Sequence, residues 1–267
     1  MKSIKIQCPA KINLDLKVIN KREDGFHNIE SVMQTISLYD YLTISVEESE
    51  EIKITLSGTS DEIPYDERNL VYKAVVLFLD EVKTSPFAIN IYIEKHIPIA
   101  AGLAGGSTDA AGTLYGLNKL FNNILSDSEL HNLCAKLGSD LNVCLMGGRL
   151  QTSGRGENVK PLLFEEFDVN LIKPIALGIS AKEAYTKFAY KFANGIDMDA
   201  RKDFENDLEW AILSDYKELQ NIKQKYPKSI MTGSGSTYFS LVNEFSDDDG
   251  YWVKNGLKSV YLGVKEV

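Results

Sequence analysis

Pro98, Ile99, Ala100, Ala101, Gly102, Leu103, Ala104, Gly105, Gly106, Ser107 and Thr108 form a stretch of small residues that runs straight into a helix pattern. A chain built this way needs a sharp connection followed by a closely packed helix. Glycine and alanine leave backbone N–H groups uncovered, and the first turn of a helix adds unpaired donors and the positive end of its dipole, a combination that suits a polyphosphate. Ala110, Leu114, Leu117 and Phe121 recur at helical spacing, and Ser107, Thr108 and Asp109 are expected to supply capping and first-turn chemistry. Relief of crowding between a strand and a helix explains the same glycines equally well. Neither G-x-x-x-x-G-K-[ST] nor G-x-G-x-x-G is present, so the two commonest nucleotide motifs are excluded.

The remaining chain narrows the setting. Its 267 residues, 44% hydrophobic, can bury a sizeable core in one domain or two. Charges sum to −9 without a long basic block, which argues against a nucleic-acid polymer as partner. No run of eighteen apolar residues occurs, and Met1-Lys-Ser-Ile-Lys-Ile-Gln7 lacks the apolar segment of a signal peptide. The expectation is a cytoplasmic protein with no membrane partner. Cys8, Cys134 and Cys144 show no C-x-x-C spacing, and His27, His96 and His131 form no ligand pair, so structural zinc and a disulfide framework are disfavoured. Cys134 falls on an apolar helix stripe and is assigned to the core.

Residues 11–18 alternate, with Ile12, Leu14, Leu16 and Val18 on one face and Lys11, Asn13, Asp15 and Lys17 on the other, which predicts a half-buried strand. A turn at 23–27 and strands near 31–38, 42–47 and 52–56 follow. Asn69 is a good N-cap for a helix carrying Val71, Ala74, Val75, Phe78 and Val82. A strand over 87–93 precedes the glycine loop. Capping boxes at Ser126/Glu129 and Ser180/Glu183 announce two further helices, the first stopped by Gly138. Strands are expected at 149–153, 169–173, 229–232, 237–242 and 258–264. This order is α+β rather than doubly wound, with a boundary near 155–165.

Lys11 and Asn13 lie about 6.6 Å apart on one strand face and could share a ligand, although a solvated polar face is the commoner use of such a pair. Asp140, just past a helix stop, reads first as a cap.

Three separated pieces change that balance. Cys8-Pro-Ala-Lys-Ile-Asn-Leu14, the 98–108 loop and Met231-Thr-Gly-Ser-Gly-Ser-Thr237 resemble, in order and spacing, the three motifs of the GHMP small-molecule kinases. Lys21-Arg-Glu-Asp-Gly-Phe-His27, Leu137-Gly-Ser-Asp140 and Gly154-Arg-Gly-Glu157 further resemble the branch that phosphorylates a cytidine-diphosphate-linked methylerythritol in the non-mevalonate isoprenoid pathway.

The resemblance implies an α+β, two-lobed fold, with residues 1–158 and 159–267 as the lobes and ATP meeting the acceptor between them. It implies transfer of the ATP γ-phosphoryl group to the 2-hydroxyl of a small cytidine-diphosphate-linked polyol. Asp140 would take the hydroxyl proton and Lys11 would stabilise the developing alkoxide. The loop Pro98 to Thr108 would hold the triphosphate, with Asn69 and Lys95 on the adenine side. Phe26 would stack on the cytosine and His27 would bond its edge, with Asn13 nearby and Tyr185 on the opposite face of the stack. Mg²⁺ is expected with ATP, its protein ligand unassigned between Ser107 and Thr108.

Two departures lie near the acceptor: Leu141-Asn-Val143 where the family more often shows Val-Pro-Phe, and Ser236 where proline is usual. A mevalonate-type or homoserine-type acceptor, or a catalytically silent nucleotide-binding protein, are the alternative readings.

Overall fold

The computed structural model describes residues Met1 to Val267. Its first layer is a sheet built on one long strand. β3 (His27–Glu48) pairs antiparallel with β1 (Lys2–Asn13) from Met33 to Val46, with β5 (Phe87–Glu94) over its later half, and with β2 (Lys17–Lys21) and β6 (Arg149–Ser153) over its earlier half. β4 (Lys53–Gly58) runs parallel to β5, β7 (Asn158–Pro161) pairs with β6, and β12 (Lys265–Glu266) returns to β1. Leu38, Asp40, Leu42, Ile44 and Val46 of β3 alternate into the interior, the period of a strand with one covered face. Asp40 is the one charged residue in that stripe.

α1 (Leu70–Val82), α2 (Gly105–Leu120), α3 (Asp127–Leu137) and α4 (Leu141–Met146) cover this face. α2 is buried nearly all round from Thr108 to Asn118, as expected of a central helix rather than a surface one. Its small residues permit that position: a Cβ at Gly112 would lie 2.4 Å from Cys8 Sγ, and one at Gly116 would lie 2.6 Å from Ile44 Cδ1.

The second sheet is antiparallel in the order β11 (Tyr251–Lys258), β8 (Asp168–Pro174), β10 (Tyr238–Ser240), β9 (Ile230–Met231). α5 (Ala181–Ala193), α6 (Met198–Arg201), α7 (Asp207–Ile212) and α8 (Lys217–Lys225) accompany it. A third apolar cluster, including Ile12, Ile36, Leu103, Leu171 and Phe239, lies between the two sheets. No helix is long and apolar enough to cross a membrane.

The α+β class, the 87–93 strand, the Asn69 and Ser126/Glu129 caps, the Gly138 stop and the buried Cys134 stand as expected. Other expectations are corrected. The strand predicted over 11–18 breaks after Asn13, because the Asp15 carboxylate accepts from Val32 N where a ladder carbonyl would stand. Lys11 and Asn13 are buried, not solvated. The 31–38 and 42–47 segments are one strand, and 258–264 is replaced by β11, which ends at Lys258, and the short β12. α2 starts at Gly105 behind Ala104, so Ser107 and Thr108 lie inside the helix and do not cap it. Ser180 accepts from Glu183 N, but Glu183 gives its carboxylate to the Tyr216 hydroxyl instead of closing the box. The sheets divide between Pro161 and Asp168.

Candidate active site

The three separated motifs meet around one buried amine. Lys11, near the end of β1, donates from Nζ to Asn13 Oδ1 at 2.7 Å and to the Gly102 carbonyl at 3.1 Å, and lies 3.4 Å from Asp140 Oδ2. Its side chain is 3% exposed whereas that of Asp140 is 29% exposed, so the carboxylate is the member of the pair that faces the cleft. Asp140 occupies the N-cap position of α4 but makes no side-chain cap bond. Its oxygens are therefore not spent on the helix, which sets aside the capping reading.

The distal turn completes the enclosure. Thr232 Oγ1 accepts from Asn13 N at 3.0 Å and lies 3.3 Å from the Gly102 carbonyl, while Thr237 N donates to the Ala101 carbonyl at 3.3 Å. Gly102 has φ +74°, and a Cβ there would stand 2.1 Å from the Thr232 carbonyl oxygen. Glycine is required at this contact on both grounds. Ser236, the second departure, donates from Oγ to the Leu177 carbonyl at 2.6 Å.

Ala100, Gly102 and Ala104 take positive φ of 49°, 74° and 60° at alternate positions of the loop. Backbone that alternates in hand in this way gathers successive N–H groups into an anion-binding concavity. It opens onto α2, whose N-terminus has no side-chain cap and whose first-turn donors remain for a ligand. Two cavities share Gly102 and Ala104 as a common wall. The larger, about 710 Å³, is lined by Lys11, Asp140, Phe26, His27, Tyr185 and Ser107 among others. The smaller, about 250 Å³, runs under the loop from Pro98 to Gly106 and reaches Asn69, Lys95 and Asp109.

Lys95 and Asn69 line that smaller cavity but are already engaged. Lys95 Nζ is shared between Asp40 and Asp109 Oδ2, the latter at 2.8 Å. Asp40 also accepts from His96 N at 2.6 Å and Ile97 N at 2.9 Å. Burial drives Asp109 up to about 7, against the pull of Lys95 and with the repulsion of Asp40. Asn69 caps α1 through Val71 N and donates to the Pro64 carbonyl.

At the far end of the larger cleft, His27 stacks on Tyr185 with ring centroids 5.2 Å apart and planes 15° apart. Tyr185 thus packs against the imidazole and lines the same cleft as Phe26. Burial, then Lys21, lowers the His27 pKa, so the ring is neutral at pH 7 and offers one donor and one acceptor. Phe26 is 52% exposed, with the Arg155 guanidinium 5.0 Å from its ring centroid. Arg155 in a turn, Lys21 at the end of β2 and Lys182 at the start of α5 line the same cleft and were missed by residue-level reading, since isolated cations carry no local signal. Thr232 was overlooked inside a motif that the sequence does display.

The GHMP kinases N terminal domain family matches residues 69–148. Over 261 residues the chain is 38% identical to the 4-diphosphocytidyl-2-C-methyl-D-erythritol kinase of Clostridium beijerinckii, covering 90% of this chain and 91% of the relative. The kinase of the same name from Clostridium perfringens is 40% identical over 90% of this chain and 89% of its own. A crystal structure of 4-(cytidine 5'-diphospho)-2C-methyl-D-erythritol kinase superposes with a TM-score of 0.72 at 27% identity, over 96% of this chain and 100% of that one. Homoserine kinase from Cytophaga hutchinsonii gives 0.70 at 17% identity, over 100% and 98% of the two chains, a likeness of fold.

Proposed function

The chain belongs to the 4-diphosphocytidyl-2-C-methyl-D-erythritol kinases, a branch of the GHMP kinases, and from that membership we propose how its residues divide the reaction. It is an ATP-dependent small-molecule kinase of isoprenoid precursor biosynthesis whose acceptor is the 2-hydroxyl of a cytidine-diphosphate-linked methylerythritol. The nucleotide base occupies the smaller cavity beside Asn69, and the triphosphate crosses the shared wall along residues 98–108. The acceptor fills the larger cleft, its cytosine between Phe26 and His27 and its hydroxyl at Asp140. A volume of about 710 Å³ suits a ligand of that size.

The observation that carries this division is the Lys11–Asp140 pair, 3.4 Å apart on the acceptor side of the cradle. Asp140 takes the proton as the acceptor oxygen bonds to the γ-phosphorus and the bond to the bridging oxygen of ADP breaks. Lys11 lies close enough to offset charge on the attacking oxygen, and positioning with charge compensation supplies most of what phosphoryl transfer needs. Mg²⁺ binds chiefly through phosphates and water, so one protein oxygen suffices; Ser107, which lines the cleft in the first turn of α2, fits, whereas Thr108 is buried. When bound, the ion neutralises phosphate charge.

We read the two lobes as residues 1–158 and 159–267 in outline, with β7 straddling that boundary to complete the first sheet and the C-terminal β12 returning to it. The test is ADP release by purified protein with ATP, Mg²⁺ and a panel of acceptors. Turnover confined to the cytidine-diphosphate-linked polyol is expected. Preference for mevalonate or homoserine, or ATP turnover with none of the three, would overturn the reading.

A further inference from the structure

Asn142 stands two residues beyond Asp140 in α4, and its buried side chain is engaged at both ends. Nδ2 donates to the Glu157 carbonyl at 3.0 Å, and Oδ1 faces His131 Nδ1 of α3 at 2.9 Å. Because an amide oxygen only accepts, the imidazole presents N–H at that nitrogen. The Gly154–Glu157 turn that Asn142 reaches is held from its other side by β3, where Ile29 N donates to the Gly154 carbonyl at 2.7 Å. Ile29 is two residues from His27. Within the same turn Arg155 covers Phe26, and a Cβ placed on Gly156 would lie 3.3 Å from Ser139 Cβ, beside Asp140. One short turn is thus fastened to the strand that carries the base-reading residues and to the helix that carries the carboxylate.

We propose that Asn142 is a positioning residue that fixes Asp140 relative to Phe26 and His27, so that proton removal depends on how the cytosine end of the acceptor is seated. The inference rests on the acceptor reading above. A ligand gripped at one end and reacting at the other converts a small shift between those ends into lost alignment, and a misplacement of about 1 Å costs about a hundredfold in rate. Truncating Asn142 leaves the Glu157 carbonyl and the His131 N–H without partners and frees α4 from the turn. Asn142→Asp is the sharper change, since it keeps size and an oxygen toward His131 but removes the donor to Glu157.

The experiment is a kinetic double-mutant cycle with ATP and the cytidine-diphosphate-linked acceptor, using wild type, Asn142→Asp, Phe26→Ala and the double variant. Asn142→Ala and His131→Ala serve as further variants, and thermal midpoints check folding. Asn142→Asp is expected to lower acceptor kcat/KM by about 10- to 100-fold while ATP KM stays within about twofold. Its penalty should shrink in the Phe26→Ala background, where no seated base remains to be aligned. His131→Ala, which removes only the outer support, should give a smaller loss in the same direction. Strictly additive penalties, equal rises in both KM values, or acceptor kinetics unchanged by Asn142→Asp would overturn the inference alone. A wild type inactive on this acceptor would overturn the acceptor reading and this inference together.

Discussion

An aspartate at the start of a short helix ordinarily spends its carboxylate on backbone N–H groups. Asp140 does not, and its nearest charged partner is the buried ammonium of Lys11. Asp140→Asn should therefore lower kcat by about 10²- to 10⁴-fold, the usual worth of a general base, with ATP affinity by calorimetry unchanged. Near-normal turnover would remove Asp140 from the chemistry. His27 makes a second prediction. Its pKa is lowered by burial and then by Lys21, so the neutral ring persists at and somewhat below the ordinary titration point of about 6.5 and its contribution fades only as pH falls through the lowered value. Acceptor KM should be flat from pH 7 to 8 and rise toward pH 5, while ATP KM does not follow. An acceptor KM that already rises between pH 8 and 7, above the ordinary titration point, would exclude a neutral imidazole as the reader of the base. Lys11, Asn13 and Asp140 were legible only jointly: singly, the first two read as a wet strand face and the third as a cap. Their burial and mutual distances depend on partners 91 to 219 residues away, which local pattern does not encode.

The glycine loop shows what an element needs beyond its own residues. Its composition and the helix after it could be read directly, but the start of α2 was misplaced because Ser107 and Thr108 look like caps while Ala104 does not. What holds the loop was invisible, since Asp40 lies on β3 and Asp109 within α2. Asp40 pins the entry through His96 N and Ile97 N, and Lys95 ties that carboxylate to Asp109 beyond the exit. Removing the amine leaves buried carboxylates unpaired, so Lys95→Met should cost about 3–5 kcal/mol in denaturant unfolding and raise ATP KM. An unchanged unfolding midpoint would show the triad to be idle. Asp109 adds a pH signature. Its folded-state pKa is raised by burial to about 7, so its contribution to stability is complete below the unfolded value near 4 and is lost as pH rises through about 7. Asp109→Asn should flatten stability between about pH 4 and 7, read as the difference in unfolding midpoints at the two limits.

At the scale of the whole molecule, the 98–108 loop is also the joint between the sheets. Ala101 and Leu103 belong to the apolar cluster that holds Ile12 and Ile36 from the first sheet and Leu171 and Phe239 from the second. Further ties cross the same joint, among them Leu16 N to the Glu205 carbonyl and Val260 N to the Thr35 carbonyl. A loop carrying left-handed alanines at 100 and 104 holds strained backbone, and such conformations persist where the surroundings over-determine them. Packing from both sheets supplies that constraint, so loosening the second sheet should be felt by ATP although no residue of β10 touches the small cavity. Phe239→Ala, at a site 1% exposed, should cost about 3–5 kcal/mol and shift the thermal midpoint by about 2–4 °C per kcal/mol. Ile222→Ala in α8, buried in a different cluster, should cost about 2–5 kcal/mol by the same mechanism. The two differ in function: Phe239→Ala should raise ATP KM because Ala101 and Leu103 lose packing beneath the cradle, whereas Ile222→Ala should leave it unchanged. Equal effects on ATP KM from both variants would mean that general destabilisation, not the joint, governs the loop.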